Sequence, residues 1–337
     1  MDFASITQPV AIELQQFNNL VTETLDSDVP LIRQVSEHII SSGGKRMRPI
    51  VALLSARAAG FKQPIDTQST NLSTINPHVT IATVIEFLHT STLLHDDVVD
   101  NSTMRRNRPT ANLRWGNAAP VLVGDYLLSK AFQLMTGLER IDLLKILSAA
   151  TIVLAEGEVF QLSQIHNVDL SETDYFTIIH NKTAKLFEAA AHMGASLGDP
   201  QVIEPLKSYG LHLGTAFQLK DDLLDYSGDT ELMGKNIGDD IREGKMTLPL
   251  IYTYKHSTDE IRQLIKTAIA HGSQQEIDQD VLGMIMAAMS ECEALEYTQQ
   301  HADTTIASAI EALDHLQASK FKTAMIQIAE LSNKRSV

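Results

Sequence analysis

Apolar residues return every three or four positions through most of this 337-residue chain, and the sustained alternation that a half-buried strand needs is hard to find. That period commits the chain to helices, and an all-α architecture is expected. Two acidic triplets of one spelling stand inside this pattern: Asp96-Asp97-Val-Val-Asp100 and Asp221-Asp222-Leu-Leu-Asp225, 125 residues apart. On a helix the first and last aspartates of each triplet share a face, with the middle one beside them. Three carboxylates on one apolar turn repel one another unless a cation neutralises them. Oxygen donors without cysteine or paired histidine suit Mg²⁺, which is held by a few carboxylates together with substrate phosphate. One triplet alone could be a solvated acidic turn. Two copies flanked by Leu and Val rather than by Lys and Glu point to metal ions and a diphosphate.

Hydrophobic content of 44% with 20% charged residues describes a globular protein, and 5% aromatic residues make its core mainly aliphatic. A net charge of −15 argues against a nucleic-acid partner or an anionic membrane surface. A phosphate group must then be met by a local basic cluster. The single cysteine, Cys292, excludes an intrachain disulfide and a cysteine-rich metal site, and is assigned to packing. The start, Met-Asp-Phe-Ala-Ser, lacks the features of a signal peptide, and no uncharged stretch reaches membrane-spanning length. A cytoplasmic location with at most transient membrane contact is expected.

Ser171-x-x-Asp174, Ser257-x-x-Glu260 and Ser273-x-x-Glu276 resemble capping boxes, and Gly198-Asp-Pro200 should end the helix that starts near Glu172. The alanine-rich run from Lys185 to Leu197, with Gly194, suits close helix packing. The segment 62–78, polar and bounded by prolines, reads as a surface loop. No composition shift marks a domain boundary. A single-domain helical bundle, with its site between facing helices, is the expected arrangement.

Basic residues accompany the acids. Gly43-Gly44-Lys45-Arg46-Met47-Arg48-Pro49 places three cations after two glycines, where guanidinium forks and an ammonium match phosphate oxygens. Arg105-Arg106 follow the first triplet, and Lys182-Thr183, Gln218, Lys235 and Lys245 surround the second. His89 lies two turns before Asp96 on the same helical face, within reach of a diphosphate, and His95 adjoins Asp96. The twelve histidines show no zinc spacing.

The runs GGKRMRP, EFLHTSTLLHDDVVDNSTMRR, AEGEVFQL, HNKTAKLFEAAA, GTAFQLKDDLLDY and GKNIGDDIREGKMTLPL, in this order, resemble trans-polyprenyl diphosphate synthases, and most resemble the bacterial octaprenyl type. The resemblance covers nearly the whole chain; the polar segment 62–78 departs from it as an insertion. It implies an isoprenoid-synthase helical fold with a central cavity, a homodimer, and repeated head-to-tail addition of isopentenyl diphosphate to an allylic diphosphate such as farnesyl diphosphate. By that resemblance Asp96, Asp100, Asp221, Asp222 and Asp225, with Asp97 nearby, hold Mg²⁺ against the allylic diphosphate, which Arg105, Lys182 and Lys235 contact directly. Lys45, Arg48, His89 and Arg106 bind isopentenyl diphosphate. Thr183 and Gln218 line the reacting region, and Leu93, Leu94 and Phe217 are candidate walls. Arg46, Lys220 and Lys245 stand beside these without an assigned role.

Ser91 and Thr92 lie one turn before Asp96, where an aromatic side chain would block a growing chain. Their small size predicts a long product, octaprenyl with nona- and decaprenyl as neighbours, of the kind that serves a quinone side chain. Three other readings compete: a geranylgeranyl synthase, a class I terpene cyclase and a noncatalytic partner subunit. A cyclase would replace the second triplet with an Asn/Ser/Glu motif and lack GGKRxRP, and a noncatalytic subunit would have lost carboxylates or cations; the chain shows neither departure.

Overall fold

The computed structural model describes residues 2–62, 76–227, 238–271 and 278–334. Lys235, the Ser273-x-x-Glu276 box and positions 63–75 of the polar segment lie outside them. The described chain is helical throughout except for one hairpin of two-residue strands. In order, the elements are α1 (Phe3–Thr7), α2 (Ala11–Thr24), α3 (Pro30–Ser41), α4 (Met47–Ala58), α5 (Pro77–Val99), β1 (Met104–Arg105), β2 (Arg108–Pro109), α6 (Ala111–Trp115), α7 (Ala118–Thr136) and α8 (Ile141–Gln164). They continue as α9 (Glu172–Ile179), a π turn (His180–Ala184), α10 (Lys185–Ala195), α11 (Ile203–Ser227), α12 (Asp239–Arg242), α13 (Leu248–His256), α14 (Asp259–His271), α15 (Gln279–Glu291), α16 (Ala294–Ala312) and α17 (Lys320–Asn333). No described helix is long and apolar enough to cross a membrane.

The chain forms two compact units. The first comprises Met1–Ala150, Leu186–Gly210 and Ala312–Ile328. Its axis is α5, in which every residue from His78 to Leu88 is buried. A helix apolar on all sides must be surrounded, and α2, α4 and α7 do this. The same unit shows why the alanine-rich run carries Gly194: a Cβ there would stand 2.3 Å from the Ala52 carbonyl oxygen, so α10 and α4 touch backbone to backbone as expected.

The second unit comprises Thr151–Lys185, Leu211–Glu311 and Ala329–Val337. Its core gathers Tyr175, Ile178, Leu219, Tyr226, Ile241, Leu248, Ile265 and Ile285 around the end of α11. Ser171 caps α9 as expected, its hydroxyl accepting from the Asp174 amide at 3.1 Å. The Ser257 box is corrected by one residue. Thr258 accepts from the Ile261 amide at 3.4 Å, while the Ser257 hydroxyl bonds back to the Thr253 carbonyl at 2.6 Å. The polar segment also ends earlier than expected. Pro77 opens α5, so His78 is a buried helical residue.

Candidate active site

In the first unit the glycine-rich run links α3 to α4. Gly43 and Gly44 adopt positive φ and Arg46 is left-handed at 49°, so the chain turns sharply before α4 begins. This turn sends Arg46 back to the Ile40 carbonyl at 2.9 Å and into an ion pair with Glu86 of α5. Arg48, two residues later, reaches His89 of α5 at 3.2 Å and stacks its guanidinium 4.4 Å over Phe187. Burial and the surrounding guanidiniums of Arg48, Arg106, Arg105 and Arg46 hold His89 well below the usual imidazole range. Its ring is therefore neutral, Nε2 accepts from Arg48, and Nδ1 carries the proton.

The hairpin after the first triplet brings the remaining cations. Its two-residue turn is Arg106-Asn107, with φ of 51° and 60°, the geometry that matches the twist of paired strands. Arg106 packs its guanidinium on Gly44, where a Cβ would sit 2.6 Å from Nη1, and the φ of 131° at that position favours glycine. Arg105 points the other way, and its Nε and Nη2 donate to Asp97 Oδ1 at 2.9 and 2.8 Å. Asp97 is fully buried and its Oδ2 has no hydrogen-bond partner. Asp96 and Asp100 are half-buried, Asp100 standing where α5 ends. The structure places Arg48, Arg105 and Arg106 around His89 on the helix that bears the first triplet, with Lys45 exposed on the glycine-rich turn.

Ser91 is buried and donates to the Gly124 carbonyl of α7 at 2.8 Å. Thr92 is half-buried and bonds back to the His89 carbonyl at 2.9 Å. The two chain-length candidates therefore occupy different sides of α5, Ser91 being the one packed on a neighbouring helix.

In the second unit the triplet ends α11, with Asp221 exposed and Asp222 and Asp225 buried. Both oxygens of Asp222 are taken: Tyr175 Oη donates to Oδ2 at 2.5 Å and Gln218 Nε2 to Oδ1 at 2.7 Å. Thr183 Oγ1 donates in turn to Gln218 Oε1 at 2.8 Å. Asp225 Oδ2 accepts from the Asp240 amide at 3.1 Å. Burial first, and then the Asp240 carboxylate, push Asp222 up to about 8. Lys182 and Thr183 lie on the π turn, a helix irregularity that frequently marks functional sites. Lys182 is held by Glu158 of α8 at 2.7 Å.

Glu86, Glu158, Tyr175 and Asp240 were missed by sequence reasoning. Glu86, Glu158 and Asp240 sit inside the quoted motifs, and a charge there could have been matched to Arg46, to Lys182 and to the triplet. Tyr175 offered one signal, a phenol in an apolar helix face that needs a partner once buried. Lys220 is buried and donates to Gln299 at 2.7 Å. Cys292 is partly buried beside Thr253, in keeping with packing.

A model of the polyprenyl synthetase family matches residues 29–286. The octaprenyl diphosphate synthase of Escherichia coli (strain K12) is 45% identical over 337 residues, 99% of each chain. A decaprenyl diphosphate synthase from Rhodobacter capsulatus superposes with a TM-score of 0.90 at 39% identity, over 99% of each chain. A polyprenyl synthase from Caulobacter crescentus CB15, solved with calcium and isoprenyl diphosphate, gives the same TM-score at 38% identity over 99% of this chain and 98% of that one. With that family model spanning most of its length and a full-length relative at 45% identity, this chain belongs to the polyprenyl synthetase family.

Proposed function

We propose that the chain is a trans-polyprenyl diphosphate synthase that adds isopentenyl diphosphate repeatedly to an allylic diphosphate and makes an octaprenyl chain. The observation that carries this is the cluster of Arg48, neutral His89, Arg105 and Arg106 beside a buried aspartate in the first unit. A globular protein of net charge −15 has little reason to gather four basic residues there except to meet an anion. The octaprenyl and decaprenyl names of the relatives support a long product.

The donor set fits Mg²⁺. It is all oxygen, and burial first, then the Asp240 carboxylate, pushes Asp222 up, so a bound cation would favour its ionised form. Asp96 and Asp100, and separately Asp221, Asp222 and Asp225, would hold such ions. The calcium and isoprenyl diphosphate of the Caulobacter structure support the pairing of divalent ion and diphosphate. Bound Mg²⁺ supplies positive charge where the departing diphosphate develops negative charge.

The chain's own residues complete the reaction. Arg105, Lys182 and Lys235 contact the allylic diphosphate and stabilise its negative charge as the carbon–oxygen bond breaks. The Gln218 carbonyl and the Thr183 hydroxyl turn their dipoles to the allylic cation. Lys45, Arg48, His89 and Arg106 hold isopentenyl diphosphate so that its double bond meets that cation before water does. The released diphosphate takes the proton, so no dedicated base is needed. Ser91 and Thr92 leave the path of the growing chain open.

The chain would act as one functional domain in the cytoplasm, as a homodimer. Helix α8 supports the dimer, because it exposes Ile152, Val159 and Leu162, each more than half accessible, where a second copy could cover them. The long apolar product implies transient contact with a membrane on release.

Purified protein incubated with Mg²⁺, farnesyl diphosphate and isopentenyl diphosphate tests the reading by mass spectrometry of the extracted products. Octaprenyl diphosphate is expected, and Ser91→Phe should shorten it. Products that stop at geranylgeranyl support a short-chain enzyme, and absence of transfer by folded, metal-supplied protein supports a noncatalytic subunit.

A further inference from the structure

We infer that His38 is a positioning residue for isopentenyl diphosphate, clamping the hairpin that presents Arg106 onto the helix that leads into the glycine-rich turn. The inference rests on the reading of Arg106 as a ligand of that substrate.

Strands of two residues cannot hold a hairpin in place by themselves. This one also carries two left-handed non-glycine residues at its tip, a conformation that persists only when neighbours enforce it. Its base is tied by the Thr110 amide to the Thr103 carbonyl at 3.0 Å and by the Thr110 hydroxyl to the Ser102 carbonyl at 2.7 Å. Its outer strand is gripped by the last turn of α3. His38 Nε2 donates to the Pro109 carbonyl at 2.7 Å, and Arg108 Nη1 donates to Ser41 Oγ at 3.3 Å.

The His38 ring is itself fixed. Nδ1 accepts from Arg114 Nη1 at 3.2 Å, so the neutral ring carries its proton on Nε2, where the Pro109 carbonyl requires it. The Arg114 guanidinium lies 4.7 Å over Trp115, and Trp115 stands edge-on to His38 at 5.3 Å. The chain leaves α3 three residues after His38 and reaches Gly44, the bed of the Arg106 guanidinium. Two arms of the cationic site therefore share one clamp. Arg105 does not depend on it, because Asp97 holds that side chain directly.

His38→Ala, His38→Gln and Arg106→Met, compared by steady-state kinetics in both substrates, test the clamp. His38→Ala should raise KM for isopentenyl diphosphate about fivefold, the scale of one lost hydrogen bond. Both kcat and KM for farnesyl diphosphate should stay within about twofold, as expected when only one substrate's binding is touched. His38→Gln, whose amide can donate to Pro109, should restore most of the loss. Trp115 is the only tryptophan, and its emission should shift to the red in His38→Ala as the packing around it opens. A raised KM in Arg106→Met with wild-type values in His38→Ala overturns the clamp alone. Unchanged KM in both variants overturns the assignment of Arg106 and the clamp with it. A fall in kcat, a rise in both KM values and a lowered Tm together mark His38 as a general fold residue and also overturn the inference.

Discussion

Asp97 and Asp222 hold the same place in triplets of identical spelling, and both are buried, yet Asp97 meets a guanidinium whereas Asp222 meets a phenol and a carboxamide. Around the first triplet the protein supplies its own cations, Arg105 on the carboxylate and Arg46, Arg48 and Arg106 around His89. Around Asp222 it supplies neutral donors, and burial first, then the Asp240 carboxylate, pushes Asp222 up to about 8. Asp97 is balanced by a guanidinium, whereas burial among neutral donors holds Asp222 toward its protonated form, which a bound cation would reverse. The middle aspartate of the first triplet is paired within the protein, and that of the second is poised to respond to a cation.

If that contrast is right, the second triplet should be the more sensitive to lost negative charge. Replacing Asp221 and Asp225 together by Asn should lower kcat by about 10²–10³-fold, the scale of a lost electrostatic contribution to the transition state. Added Mg²⁺ should not restore it in steady-state assays. A loss below tenfold would place the metal requirement elsewhere.

Stability should show the reverse order. Asp97→Ala leaves the half-buried Arg105 without this carboxylate, and should cost about 2 kcal/mol in denaturant unfolding. Asp222→Asn should cost less in metal-free protein, because its partners are neutral and a repulsion with Asp240 is relieved. Equal costs would break the comparison.

The smallest effect belongs to Tyr175→Phe, which removes one hydrogen bond from Asp222 and should cost about 1 kcal/mol. Asp222 would then be less well oriented. The Mg²⁺ concentration for half-maximal activity should rise while kcat at saturating Mg²⁺ stays near wild type. A lowered kcat with an unchanged Mg²⁺ requirement would assign Tyr175 to the reacting region instead.

Much of this was legible in the sequence because its signals are local. Helical period, the two triplets and the glycine-rich run each fit within a few turns, so the helices around Asp96, His89 and Gln218 were predictable. The pairing of Arg48 with His89 was not written in either segment, and followed only from the resemblance that assigned both to one substrate. Partners were harder. Tyr175 and Asp222 are far apart in sequence, and nothing in either local pattern fixes which aspartate a buried phenol will meet. The hairpin after Asp100 escaped notice because strands of two residues are too short to show alternation. Its turn uses Arg106-Asn107 where Asn-Gly or Asp-Gly would have announced it. His78 was assigned to a polar segment because Pro77 reads equally as a loop residue and as the first residue of a helix.

The unequal charge of the two motifs is tested most directly by the Tm of metal-free protein between pH 6 and 9, with and without Mg²⁺, in wild type and Asp222→Asn. The Asp222 carboxyl is raised above its unfolded value, so its contribution is fully present below about 3.8 and is lost as pH rises through about 8. Wild-type Tm should therefore fall across this range more steeply than that of Asp222→Asn, and Mg²⁺ should recover the wild-type loss at pH 9 but not the variant's. Parallel Tm profiles for the two proteins, or equal recovery by Mg²⁺, would contradict the account.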